Sequence, residues 1–118
     1  VVEQRIRVAA NRVRVCDVVV LRADTPHEEV TATPPLLCIK ILSPEDRLPR
    51  AKLVLADYLA MGVTDLWLID PVRRAAFTFD AAGLHDADTA RLTVPNTSIL
   101  VDLTGFFARL DRKLARQS

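Results

Sequence analysis

Two cysteines, two histidines and three glycines are all that this chain of 118 residues holds of the types from which zinc sites and phosphate-binding loops are usually built. Cys16 and Cys38 stand far apart, with neither a CxxC nor a Cys/His ligand spacing, so a zinc site is not expected. No P-loop, GxGxxG, GxSxG or HExxH pattern occurs, which removes the common signatures of nucleotide binding, serine hydrolysis and zinc peptidases. Long apolar runs are also missing, so neither a signal peptide nor a membrane span is expected. A formal net charge of +1 excludes a strong overall basic field. The cations are nevertheless uneven, thirteen Arg against three Lys. Arginine is the better fork for phosphate or carboxylate, and a genomic composition bias gives the same count.

What is present is a series of strand patterns around one helix. Glu3 to Ala9 alternates, with Arg5 and Arg7 on one face and Ile6 and Val8 on the other. After a turn at Asn11-Arg12, Val13 to Leu21 reads as a second strand, antiparallel to the first. Alternation there places Val13, Val15, Asp17, Val19 and Leu21 on one face, so Asp17 is an acid in an apolar stripe. Arg22 to Thr33 is polar and predicts an exposed loop that includes His27. Leu36 to Leu42 follows, apolar except for Lys40, as befits a central strand covered on both sides. Cys38, Lys40 and Leu42 face one way, Ile39 and Ile41 the other. The two cysteines lie in strand patterns and are expected to be free, buried thiols of a cytoplasmic protein rather than a disulfide.

Ser43-Pro44-Glu45-Asp46 resembles a capping box, but Pro49 places the main helix near residue 49 after a short turn at Ser43. Ala51, Leu55 and Leu59 share its apolar face, and Gly62 ends it. Val63 to Ile69 returns as a strand parallel to the first central one, by a right-handed crossover. Asp70-Pro71 opens a turn, and Ala75 to Phe79 is a further antiparallel strand. Ala81 to Ala90, with His85, reads as a polar turn region. Arg91 to Val94 and Ile99 to Leu103 are short strands, and Thr104 caps a last helix with Phe106, Phe107, Leu110 and Leu114 on its apolar side. The sum is a single α/β (α+β) domain over residues 1–118.

Few residues in this plan carry chemistry. His27 and His85 are loop residues, Asp70 ends a strand, and Ser43 is a cap with no base beside it. Asp17 and Lys40 stand out as charges in the middle of apolar strands, because burying an unpaired charge is costly. If their strands are neighbours, the two form either an ion pair or part of a metal or phosphodiester site on the sheet.

The pieces VRVCDVVVLR, PPLLCIKILSPED, DYLAMGV and LWLIDP, in that order, resemble the restriction-endonuclease-like family called Uma-two, from about Arg5 to Leu110. The resemblance implies a restriction-endonuclease-like mixed β-sheet flanked by helices, of the PD-(D/E)XK class. It further implies Mg²⁺-dependent cleavage of DNA, with strand acids holding a metal that activates water. Carried over residue by residue, Asp17 matches the family's metal-binding acid, although Cys16 replaces the usual proline before it. Lys40 stands where the family has glutamate, and Val54 where its helix carries a lysine. Lys52 is near in sequence but about 200° around the helix from Val54. Asp17 as metal ligand, with Lys40 or Lys52 at the scissile phosphate, is the catalytic set the resemblance offers. Against it, an ammonium beside Asp17 attracts the carboxylate and repels a cation. The reading is therefore of an endonuclease-like protein with an altered site, or of a non-catalytic nucleic-acid or protein interaction module on the same fold. Ser43, Gly62, Trp67 and Asp70 match positions that maintain the fold. The chain opens on Val1 without the family's N-terminal acidic segment, which predicts an uncovered sheet face and a homodimer.

Overall fold

A computed structural model describes residues 2–26 and 28–117, without the side chains of residues 114 and 117. His27 therefore lies outside the described residues. Seven strands form one mixed sheet: β1 (Val2–Ala9), β2 (Arg12–Val20), β3 (Val30–Thr31), β4 (Leu37–Ile41), β5 (Asp65–Asp70), β6 (Ala75–Asp80) and β7 (Gly83–Ala87). Their order is β3-β1-β2-β4-β5-β6-β7, which puts β4 in the middle. The β1/β2, β2/β4, β5/β6 and β6/β7 pairs are antiparallel, while β1/β3 and β4/β5 are parallel. Between the parallel neighbours β4 and β5 the chain crosses over through helix α1 (Leu48–Met61).

The two faces of the sheet hold two cores. Ile6, Cys16, Val19, Cys38, Leu66 and Leu68 pack under Ala51, Leu55 and Tyr58 of α1. On the other face Leu37, Ile39, Trp67, Ile69 and Ala76 pack against Leu92, Val94, Leu103 and Phe107. Leu92 and Val101 belong to a two-stranded sheet, β8 (Leu92–Thr93) with β9 (Leu100–Val101), and Phe107 to helix α2 (Thr104–Gln117). Buried on both sides, β4 and β5 are the apolar runs of the sequence, and Cys38 and Ile39 face opposite cores as alternation predicts. Both cysteines are free and buried.

Helix α1 starts at Leu48, with Arg47 at its N-cap and Pro49 in the first turn, where a missing N–H leaves no bond unmade. It ends at Gly62, whose φ of 111° lets its N–H and that of Val63 bond back to Leu59 and Tyr58. Tyr58, rather than Leu59, is the fully buried residue of the last turn. Arg12 and Arg14 of β2 both bind Asp57, clamping the helix to the β1–β2 hairpin.

Four sequence expectations need correction. Cys16 and Val19 both face α1, so alternation breaks between them, and the supposed apolar stripe from Val13 to Leu21 does not exist. Val13 and Val15 are exposed on the far face. Opposite the break, between the Val2–Val18 and Gln4–Cys16 rungs, Glu3 adopts a φ of 51°, so both strands are distorted there. Second, the loop after β2 contains β3, which adds to the sheet edge and buries Thr31; Gln4 Nε2 donates to Thr31 Oγ1 over 2.9 Å. Third, the polar stretch after residue 80 is an edge strand. Gly83 at φ 115° turns the chain, and Asp80 accepts from the Ala82 N–H and meets His85. Fourth, α2 is capped by Asp102, whose carboxylate accepts from the Thr104 amide and hydroxyl.

Candidate functional site around Lys40

The break in β2 determines where the site forms. Pairing of β2 with β4 ends at Val18–Ile39, and beyond that rung Asp17 Oδ2 accepts the Ile41 N–H over 2.7 Å. A side-chain carboxylate thus takes the place of a strand carbonyl. Lys40 extends on the α1 side of β4, and its Nζ lies 3.9 Å from Asp17 Oδ2. The same ammonium lies 3.3 Å from Asp46 Oδ2. Asp46 reaches back because Pro44 and Glu45 turn the chain, with Asp46 N–H donating to the Ser43 carbonyl and Ser43 N–H to Asp46 Oδ2 over 2.8 Å. The capping-box pattern is therefore used in reverse, the acid closing the turn rather than starting the helix.

Lys40 accordingly sits between two carboxylates, with only 21% of its side chain exposed. Asp46 is held below the ordinary carboxylate range, first by the Ser43 amide and then by the Ser43 side chain and Lys40, which together outweigh its partial desolvation. At an effective dielectric of about 20, the gross attraction is about 5 kcal/mol to Asp46 and about 4 kcal/mol to Asp17. Solvent screening of these partly exposed groups reduces both substantially.

Beside the cluster, where β4 and β5 end, is a cleft of about 190 Å³ lined by Leu42, Ser43, Asp46, Asp70, Val72 and Arg73. Asp70 Oδ1 accepts the Val72 and Arg73 amides, the strand-ending turn the sequence predicts, and Arg73 Nε lies 3.9 Å from its other oxygen. A larger cleft, about 470 Å³, opens at the opposite end of β4 and β5 near Arg22, Asp65 and Asn96 and is lined by neither Asp17 nor Lys40.

Of the three residues singled out by sequence, the structure brings Asp17 and Lys40 together. Lys52 is exposed on α1, and no hydrogen bond or ion pair joins it to either of them. Val54 packs partly buried against the α1-side core. Asp46 was not a sequence candidate. The signal that finds it is an acid six residues after the strand lysine, with a Ser-Pro turn between to bring it back.

These residues do not fit a divalent cation. Magnesium is bound through one or two carboxylates whose remaining shell is water or phosphate oxygen. Here one oxygen of each carboxylate already accepts a backbone N–H, and the space between them is taken by an ammonium. Among the described residues, no group of three His, Cys, Asp or Glu side chains converges.

A central mixed sheet, a crossover helix between its parallel strands and charged residues at their ends make this a mixed α+β domain. The crystal structure of a "putative nuclease belonging to DUF820" from Anabaena variabilis ATCC 29413 superposes with a TM-score of 0.70 at 20% identity, over 93% of this chain and 68% of that one. The family model Uma2, described as "Putative restriction endonuclease", matches residues 1–107, and the chain belongs to that family. No curated protein matches it.

Proposed function

We propose that this chain is a non-cleaving member of the Uma2 family, a nuclease-fold domain that binds nucleic acid and does not hydrolyse it. The observation that carries this reading is the position of Lys40. Its ammonium lies within 3.3 Å of Asp46 and 3.9 Å of Asp17, so the protein supplies its own cation between the acids. The family resemblance puts a glutamate at Lys40, and two carboxylates about 4 Å apart repel by roughly 4 kcal/mol until a metal relieves them. An ammonium relieves the same repulsion permanently. The three side chains then sum to −1 rather than the −3 that a glutamate would give, so the pull on Mg²⁺, and with it the means to activate water, is much reduced. The nucleic-acid partner is taken from the family description, which names a restriction endonuclease.

Calorimetric titration with Mg²⁺ and with Mn²⁺ tests the proposal. No binding is expected at millimolar metal, and no nicking of supercoiled plasmid. Lys40→Glu is expected to gain metal affinity, because it leaves acidic side chains from β2, β4 and the Ser43 turn facing one another. Metal binding by the unaltered chain, with plasmid nicking lost in Asp17→Ala, would establish instead the Mg²⁺-dependent endonuclease in which Asp17 is a ligand.

A further inference from the structure

Helix α2 carries Arg109, Arg112, Lys113 and Arg116, spaced i, i+3, i+4 and i+7. At 3.6 residues per turn these four project within an arc of about 100° and span about 10 Å of helix. All four are exposed, and none makes an ion pair among the described residues. In a chain of net charge +1, such a concentration on one helix is a local asymmetry. The single carboxylate of α2, Asp111, points away from the stripe and is bound by Arg74, which also lies 5.9 Å from the Phe107 ring. Arg74 belongs to the turn after β5. The helix is therefore anchored, stripe outward, at the end of the sheet where Asp46 and Asp70 line their cleft.

We infer that the α2 stripe is a docking surface for the phosphodiester backbone of a nucleic acid. Guanidinium forks match phosphate oxygens, and exposed cations at this spacing can meet several phosphates of one strand. An anionic membrane is the less suitable polyanion, because a helix lying on lipid must insert its apolar face. Here Phe107 of that face is packed into the protein at 6% exposure, and Phe106 at 38% is the large apolar side chain that α2 leaves exposed among the described residues. The inference rests on the proposed function only in taking nucleic acid as the partner, and it holds whether or not Lys40 excludes a metal.

The test is fluorescence anisotropy of a labelled random-sequence duplex with the full chain, in a chelator so that neither metal binding nor cleavage contributes. Binding at about 50 mM salt is expected, with a log–log salt slope near −3.5 if all four cations meet phosphates. Arg112→Gln with Lys113→Gln is expected to weaken binding about tenfold or more and to bring the slope down by about 2. The control, Arg7→Gln with Arg22→Gln, removes equal charge away from α2 and is expected to change binding little. Circular dichroism of both double variants verifies that they fold. No duplex or single-strand binding, equal losses in the two variants, or α2-dependent binding to anionic vesicles without nucleic-acid binding would each overturn the inference. Retained metal-free binding in Lys40→Glu separates this result from the outcome at the ion cluster.

Discussion

At the scale of single residues, Asp17 does two things and Lys40 does one, which ranks their substitutions. Asp17 accepts the Ile41 N–H where the β2–β4 ladder ends and also faces Lys40. Removing it strands a backbone donor at a part-buried position, a loss of about 1–3 kcal/mol. Lys40→Met keeps most of the stem packing and removes one charge from a partly exposed cluster, which is expected to cost about 1 kcal/mol. Urea denaturation should therefore show Asp17→Ala to be the more damaging change, and the reverse order would mean that the ion pairs dominate. Both charges were visible in the sequence because each interrupts an apolar run. Asp46 was not, since acids after Ser-Pro are ordinary at helix starts and only the path of the chain brings this one to Lys40.

Among the elements, α1 is the one whose limits the sequence states outright. Pro49 and Gly62 mark its two ends by their backbone limits alone. Gly62 has a φ of 111°, and a Cβ there would meet Pro34 Cγ at 3.3 Å. Gly62→Ala is accordingly expected to destabilise the fold by about 1–2 kcal/mol, read as a lower melting temperature with an unchanged circular dichroism spectrum. The interior of β2 shows the opposite situation. Five of its nine residues are valine, and the valines do not mark the break between Cys16 and Val19. A run of β-branched residues suits a strand on either face, so alternation by itself could not locate the distortion. Likewise β3 is only two residues long and β7 holds Gly83, His85 and Asp86, so pairing with β1 and β6 rather than a sequence pattern makes them strands.

For the whole molecule, charge distribution sets a pH dependence. Asp46, Asp57, Asp80 and Asp102 are all held below the usual carboxylate range in the folded state. For Asp57 burial pushes upward, and Arg14 and Arg12 overcome it. At Asp80 the largest effect is the contact with His85, and at Asp102 the bond from Thr104. The unfolded chain therefore takes up protons first, near the ordinary Asp value of about 3.9, so stability is fully present above that pH. It declines as pH falls through it toward the folded values. Urea midpoints are expected to fall steeply below about pH 4, and less steeply in Asp46→Asn and Asp57→Asn than in the unaltered chain. The α+β class, the central apolar strands, the crossover helix and the charged pair follow from the sequence, because period, caps and breakers act locally. Which face Cys16 and Val19 share, which acid completes the cluster at Lys40 and which way the cations of α2 point were decided only by tertiary structure. Those features depend on how strands pair and turns return, and the energies involved arise between residues distant along the chain.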